Sequence, residues 1–249
     1  MNPIYESLLK RKSTRAFLPT PLSQELKDAL FNAAFQAPTA GNQMLYSLID
    51  VTDQSLKNRL AETCDHQAFI ATAPFVCVFL ADTRRWYDAY IEAGLNPRKP
   101  GAGDILLAIE DTMIAAQNMV VAAESFGLGS CYIGDILENA EIHKDLLKLD
   151  DYVLPIALLV IGYPSPAVET RKKPKRFDRD FIVFENTYRR LTSEEIRSMF
   201  QQQSTKENYN FESDLEAFWK RKYESDFALE MNRSSEVFLN SFLSSHRED

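Results

Sequence analysis

Between Asp104 and Phe126 the chain runs for about 23 residues with apolar side chains on nearly every side of a helical wheel, ~34 Å as one helix. A segment of that length and character either spans a membrane or forms the central helix of a core packed on several elements. Glu110, Asp111, Gln117, Asn118 and Glu124 interrupt the run, which excludes the span and predicts a helix through the core, stopped by Gly127. At 249 residues the chain can fold by burial alone, without covalent staples.

The elements around that helix follow from shorter patterns. From Leu22 to Phe35, Leu22, Leu26, Ala29, Leu30 and Ala33 recur at three and four, with Ser23 placed to cap an amphipathic helix. Leu45 to Val51 and Phe75 to Leu80 are β-branched or aromatic runs with strand character, the second expected to be fully buried. Gly127 to Gly134 enters a third extended segment, and Val153 to Ile161 forms a fourth, ended by Gly162-Tyr163-Pro164. The expected class is α+β, a mixed central sheet flanked by helices with a long buried central helix.

Residues 1–190 are expected to form one unit and residues 191–249 a helical extension. Thr192-Ser193-Glu194-Glu195 reads as a capping start. Leu215, Phe218, Trp219, Tyr223, Phe227, Met231, Val237, Phe238, Leu239 and Phe242 give an apolar stripe that needs a partner surface, the body of the chain or a second subunit. The segment from Arg84 to Gly103, with Trp86, Tyr87, Tyr90, Arg98 and Lys99, reads as a loop between a strand and the central helix, a lid or a satellite core.

Twenty-eight Lys and Arg against thirty-six Asp and Glu give a net charge of −8, which argues against nucleic acid or an anionic membrane surface as partner. Any bound anion needs a local cationic cluster. Cys64, Cys77 and Cys131 are an odd, unpaired set and read as reduced thiols, while His66, His143 and His246 lack metal-ligand spacing and read as ordinary surface or helix-end residues. No metal site is expected. The segment beginning at Met1 has no secretory pattern and Val153 to Tyr163 is too short to span a bilayer, so the expected compartment is the cytoplasm.

Two segments carry chemistry. Arg11-Lys12-Ser13-Thr14-Arg15-Ala16-Phe17 concentrates three cations and two hydroxyls in an otherwise acidic chain, a set suited to a phosphate monoester and also compatible with a solvated basic face. Gln36-Ala37-Pro38-Thr39-Ala40-Gly41-Asn42-Gln43 offers amides and a hydroxyl after a helix; with Gln67 these side chains can read a heterocycle edge, or serve only their own turn.

In this order and spacing the two segments resemble the FMN-dependent nitroreductase family. So do the long helix leading into Gly127-Leu128-Gly129 and the turn Tyr132-Ile133-Gly134, and Gly162-Tyr163-Pro164 followed by the basic run Arg171 to Arg176. The match covers roughly residues 3 to 190. The resemblance implies that Arg11 and Ser13, supported by Lys12, bind the FMN phosphate. Arg15 then approaches the N1/O2 side of the ring, where reduction places negative charge. Thr39, Asn42, Gln43 and Gln67 are implied for ring and ribityl contacts, Ile133, Gly134 and Asp135 for the ring near N5, and Lys173 and Arg176 for the far side of the phosphate.

It further implies a homodimer with FMN at the subunit interface and NADPH or NADH as donor. The acceptor is then a small flat oxidant such as a nitroaromatic or quinone, reduced in ping-pong order by hydride transfer through flavin N5, with no catalytic side chain. A flavin reductase or dehalogenase differs only in the oxidant. Outside that class stand a non-catalytic flavin-binding or regulatory protein that recruits a partner through its C-terminal helices, and a structural protein without cofactor.

Overall fold

The computed structural model describes residues 2–169 and 172–243, which fall into two compact units, Met1–Arg171 with Glu230–Asp249, and Lys172–Leu229. In chain order the first unit holds α1 (Pro3–Lys10), α2 (Gln24–Phe35), β1 (Tyr46–Asp50), α3 (Gln54–Thr63), α4 (Phe69–Thr72), β2 (Phe75–Asp82), α5 (Arg84–Glu92), α6 (Ala102–Ser125), β3 (Gly129–Ile133), α7 (Ala140–Leu146), β4 (Val153–Gly162) and α8 (Pro166–Glu169). The second holds α9 (Ser193–Gln203) and α10 (Phe211–Lys222), and the division falls within α11 (Asp226–Leu243).

The sheet has the order β1-β2-β4-β3, so β1 and β3 are its edges. Every residue of β2 is buried, as expected, because both faces of the sheet are covered. Val76, Val78 and Leu80 enter one apolar cluster and Phe75, Cys77 and Phe79 the other, the period-two alternation of a strand packed on both sides. All three ladders are antiparallel, and parallel pairing among the described residues is the one-residue bridge between Ser13 and Ser130. The mixed sheet expected from sequence is therefore antiparallel in its strands: connections through helices permit either direction, and a two-sided apolar run encodes none.

α6 has the expected bounds and place. Its length and mean hydropathy of 1.4 are those of a membrane span, yet Ala108, Ala115, Ala116, Met119, Val120 and Ala123 are buried in the protein's own core. The helix ends as Leu128 N–H bonds Ala123 C=O at 2.9 Å across Gly127, whose φ is +73°. Gly129 has a different reason: a Cβ there would lie 2.4 Å from Thr14 Oγ1, so only glycine lets the segment after α1 run against β3.

Two expectations are corrected. Residues 84–92 are helical, with Trp86 and Tyr90 one turn apart and Arg84 paired to Asp88 at 2.6 Å. Gly94, Pro97 and Pro100 beyond them had made the whole stretch read as loop. The boundary placed at 190 also moves, since α11 returns to the first unit and buries Ser234, Phe238 and Phe242 there. Its neighbour α10 leaves Phe218, Trp219 and Tyr223 exposed.

Within the second unit, Phe200 joins Phe177 and Phe211 edge to face, with centroids at 5.5 and 6.1 Å. The predicted cap of α9 is present, with Glu195 N–H donating to Thr192 Oγ1 at 3.2 Å and Thr192 N–H to Glu195 Oε2 at 2.8 Å.

Candidate functional site

The β3 edge is built by the basic motif. Thr14 N–H donates to Ser130 C=O at 2.8 Å, which lays residues 11–15 along the strand. Ser13 and Thr14 alternate in pointing out and in, Thr14 being buried. Arg11 Nη1 and Ser130 Oγ are buried and have no hydrogen-bond partner among the described residues, although a buried guanidinium N–H without an acceptor is costly. Lys12 is half-buried and Arg15 is exposed, its guanidinium 6.0 Å from the Phe69 ring centre. Burial pushes the Cys131 thiol up, while Arg15 and Ser13 beside it pull the other way.

β3 then delivers Ile133, buried, and Gly134, exposed, with Asp135 between the two in burial. A Cβ on Gly134 would meet nothing within 4 Å, so the chain itself does not require glycine there. Unpaired cationic and hydroxyl donors at one end of the edge and bare backbone at the other fit a phosphate carrying a planar ring that lies close to residue 134. FMN has that chemistry.

The turn after Gly134 is held from behind. Asn139, at φ +51°, begins α7 without capping it through its own side chain. α11 supplies the cap: Asn139 N–H donates to Glu230 Oε1 at 3.1 Å and Ala140 N–H to Ser234 Oγ at 2.9 Å, while Arg233 grips Glu141 at 2.8 and 2.9 Å. His143, buried in α7, shares a hydrogen bond at Nδ1 with Ile136 C=O (2.9 Å) and at Nε2 with Thr63 Oγ1 (2.8 Å); burial lowers its pKa. This histidine, in the last turn of α7, is a helix-end residue as one of the two expectations had it, and a buried tie; His66 is exposed and His246 lies outside the described residues. Glu138 is 7% exposed, with Oε1 unpartnered, and burial, then Asp135, Asp65 and Glu230, push its pKa up to about 7. Gln67 donates from Nε2 to Cys64 C=O at 3.0 Å, so part of its amide closes the end of α3.

The β1 edge carries the second motif and is organised by Asp111 of α6, 3% exposed. Its carboxylate accepts from Ala40 N–H (3.0 Å), Leu45 N–H (3.1 Å) and the Thr39 hydroxyl, which in turn accepts from Met44 N–H at 2.8 Å. The Thr39 hydroxyl implied for the cofactor is thus committed to its own loop. Gly41, Asn42 and Met44 have φ of +57°, +58° and +51°, which explains glycine and asparagine there. The Gln43 carbonyl accepts from Trp86 Nε1 at 2.8 Å, and Arg85 donates to the carbonyls of Met44 (3.2 Å) and Tyr46 (3.1 Å). Beside Gln43 opens a cavity of about 590 Å³ lined by α5, residues 95–100 and α6.

The structure brings Arg11, Lys12, Ser13, Arg15, Ile133, Gly134 and Asp135 to the β3 edge, and Thr39, Asn42 and Gln43 to the β1 edge. Two strands lie between the edges, ~14 Å at ordinary strand spacing. Lys173 and Arg176 are exposed residues of the second unit, and Arg171 lies outside the described residues. Sequence reading had not singled out Asp111, Ser130 or Glu138 for the site. A lone carboxylate on an apolar helix was the available signal for Asp111, since such a charge must be paired when buried.

A fold with this sheet, this central helix and this anion-ready edge is that of a flavin-type oxidoreductase scaffold, and comparison identifies the family. The Nitroreductase family model matches residues 8–163. An oxygen-insensitive NADPH nitroreductase of Salmonella typhimurium is 34% identical over 191 residues, 77% of each chain. FMN reductase (NADPH) of Bacillus subtilis is 33% identical over 190 residues, 76% of this chain and 75% of that protein. The solved NfrA1 nitroreductase of B. subtilis superposes with a TM-score of 0.77 at 27% identity, over 93% of this chain and 98% of its own. The chain belongs to the nitroreductase family.

Proposed function

We propose that the protein is an FMN-dependent NAD(P)H oxidoreductase that reduces flat oxidants such as nitroaromatics or quinones, and that it works as a homodimer in the cytoplasm. The observation that carries this reading is the division of the implied flavin residues between opposite sheet edges. One chain cannot close both sets around one ring, whereas two copies can, the β3 edge of one facing the β1 edge of the other. Exposed apolar residues on α1 and α6, among them Ile4, Leu9, Leu106 (61% exposed) and Ile114, supply surface for such a pairing.

On the β3 edge Arg11, Lys12, Ser13 and the Ser130 hydroxyl hold the phosphate, and Arg15 presents a cation to the pyrimidine end. Gly134 leaves room for the ring over bare backbone, between Ile133 and Asp135. Asn42 and Gln43 offer amides from the other copy, held in place by Thr39 and Asp111, and Gln67 keeps one amide edge for the same purpose. When bound, FMN would supply the redox chemistry that links a nicotinamide donor to the oxidant. The chain's own part is to bind, orient and exclude water; no side chain is required as a nucleophile.

The test is the visible spectrum of the purified protein under anaerobic conditions, before and after NADH and then NADPH. Flavin bands that bleach are expected, and the faster donor is the physiological one. Bound flavin that neither nucleotide reduces would favour a flavin-binding regulatory protein, and a preparation colourless even after added FMN would leave a structural one. Double-reciprocal plots should be parallel.

A further inference from the structure

We infer that Glu138 is a positioning residue for the flavin seat: its neutral carboxyl keeps the turn at residues 134–137 in the form that receives the ring, and its ionisation opens that turn and weakens FMN binding. This role rests on the flavin reading proposed above, which sets the ring beside Gly134.

The turn is tied from behind, and Glu138 sits among the ties. Ile136 C=O is held by His143 Nδ1, Asn139 Nδ2 donates to Thr63 C=O at 2.9 Å, and Asn139 N–H donates to Glu230 Oε1 at 3.1 Å. Glu138 N–H closes the turn itself on Asp135 C=O at 3.1 Å. The side chain that follows is packed inward, 7% exposed, and its Oε1 is buried without a hydrogen-bond partner among the described residues. A carboxyl in that setting is tolerated as the neutral acid and costly as the anion.

The surrounding charges favour the acid as well. Burial first, then Asp135 of the turn, Asp65 beyond the end of α3 and Glu230 of α11, push the Glu138 pKa up to about 7. Arg233, the cation that α11 brings near, is shared between Glu141 of α7 and Glu230, at 2.8 Å to each. His143 of α7 and Cys64 at the end of α3 add no positive charge, because burial lowers the pKa of the imidazole and raises that of the thiol. Once the proton leaves, an anion with acidic neighbours and an unpartnered oxygen must reach water. It does so by swinging its own turn outward, since Asn139 behind it is pinned to both α3 and α11. Gly134 and Asp135 move with the turn. The protonated protein is therefore the form that binds FMN tightly, and affinity falls as pH rises through about 7.

The test follows FMN release from the holoprotein on dilution, read by flavin fluorescence at low ionic strength, from about pH 5.5 to about pH 8.5 in the parent and in Glu138→Gln. A phosphate monoester itself loses a proton near pH ~6, so the quantity compared is the ratio of the two proteins' Kd at each pH. The parent's Kd should climb about three- to tenfold relative to the variant's across that range. Asp65→Asn, at an exposed position, removes one of the charges that favour the acid and should shift the parent's climb to lower pH. A constant ratio in proteins that hold FMN overturns the role of Glu138 and leaves the flavin reading intact. If Glu138→Gln does not fold, Asp65→Asn decides alone: a climb shifted to lower pH supports the role, and an unshifted one overturns it. A parent that retains no FMN at any pH removes the flavin reading and the role of Glu138 with it.

Discussion

The two edges of the sheet carry polar segments of similar length, and they spend their hydrogen bonds in opposite ways. At the β1 edge the backbone N–H groups of Ala40 and of residues 42–45 and the Thr39 hydroxyl are all bonded within the chain, three of these donors to the single carboxylate of Asp111. At the β3 edge Arg11 Nη1 and Ser130 Oγ are buried and left over, and Gly134 faces open space. A segment whose polar groups are satisfied is part of the scaffold, whereas one whose buried donors are unsatisfied is completed by something other than its own chain. The motifs look equally functional in the sequence, and this difference is what separates the edge proposed to bind from the edge proposed to present.

Substitutions on either side can break that comparison. Asp111→Ala has the largest expected effect: it strands two backbone N–H groups and a hydroxyl and should cost about 3–5 kcal/mol of stability, read by thermal or denaturant unfolding of the apoprotein. Arg11→Ala should do the reverse, weakening FMN binding by about 10- to 100-fold while unfolding of the apoprotein stays within about 1 kcal/mol, since Nη1 has no protein acceptor to lose. If Arg11→Ala melts like Asp111→Ala, the β3 edge is scaffold after all. Gly134→Val should lower FMN affinity several-fold with little change in apoprotein stability, because its side chain enters space no protein atom fills; unchanged affinity would remove the ring from that position.

The remaining effect is pH-linked. Glu138 has a folded-state pKa raised from about 4.5 to about 7, so the folded protein binds the extra proton between those values and loses stability as pH rises through them. Glu138→Gln should erase that loss, leaving the variant more stable than the parent by about 1–3 kcal/mol above pH 7 and nearly equal below pH 4.5. Parallel stability curves would show that the carboxyl is solvated.

Most of the fold was legible because its signals are local. The α6 run, the Ser23 cap, the two-sided β2 strand and the Thr192 cap depend on neighbours within a few residues. What was not legible depends on distant partners. Strand direction, the return of α11 into the first unit and the Asp111 bonds to residues some seventy positions away leave no periodic trace. The site motifs were readable as a set of residue types, while their partition between edges was not, since it follows from the order β1-β2-β4-β3. Thr39 is an example: its hydroxyl donates to Asp111, a partner that its own segment does not reveal.

The cap that α11 places on α7 has a consequence for how the molecule is made. Glu230, Arg233 and Ser234 follow Asn139 by some ninety residues, so a chain growing on the ribosome exposes the start of α7 and the turn before it long before their partners are synthesised. Until then the first N–H groups of α7 wait for those partners while Thr63 and Ile136 already hold Asn139 and His143, and a message cut short before residue 230 yields a product that contains the whole β3 edge without that cap.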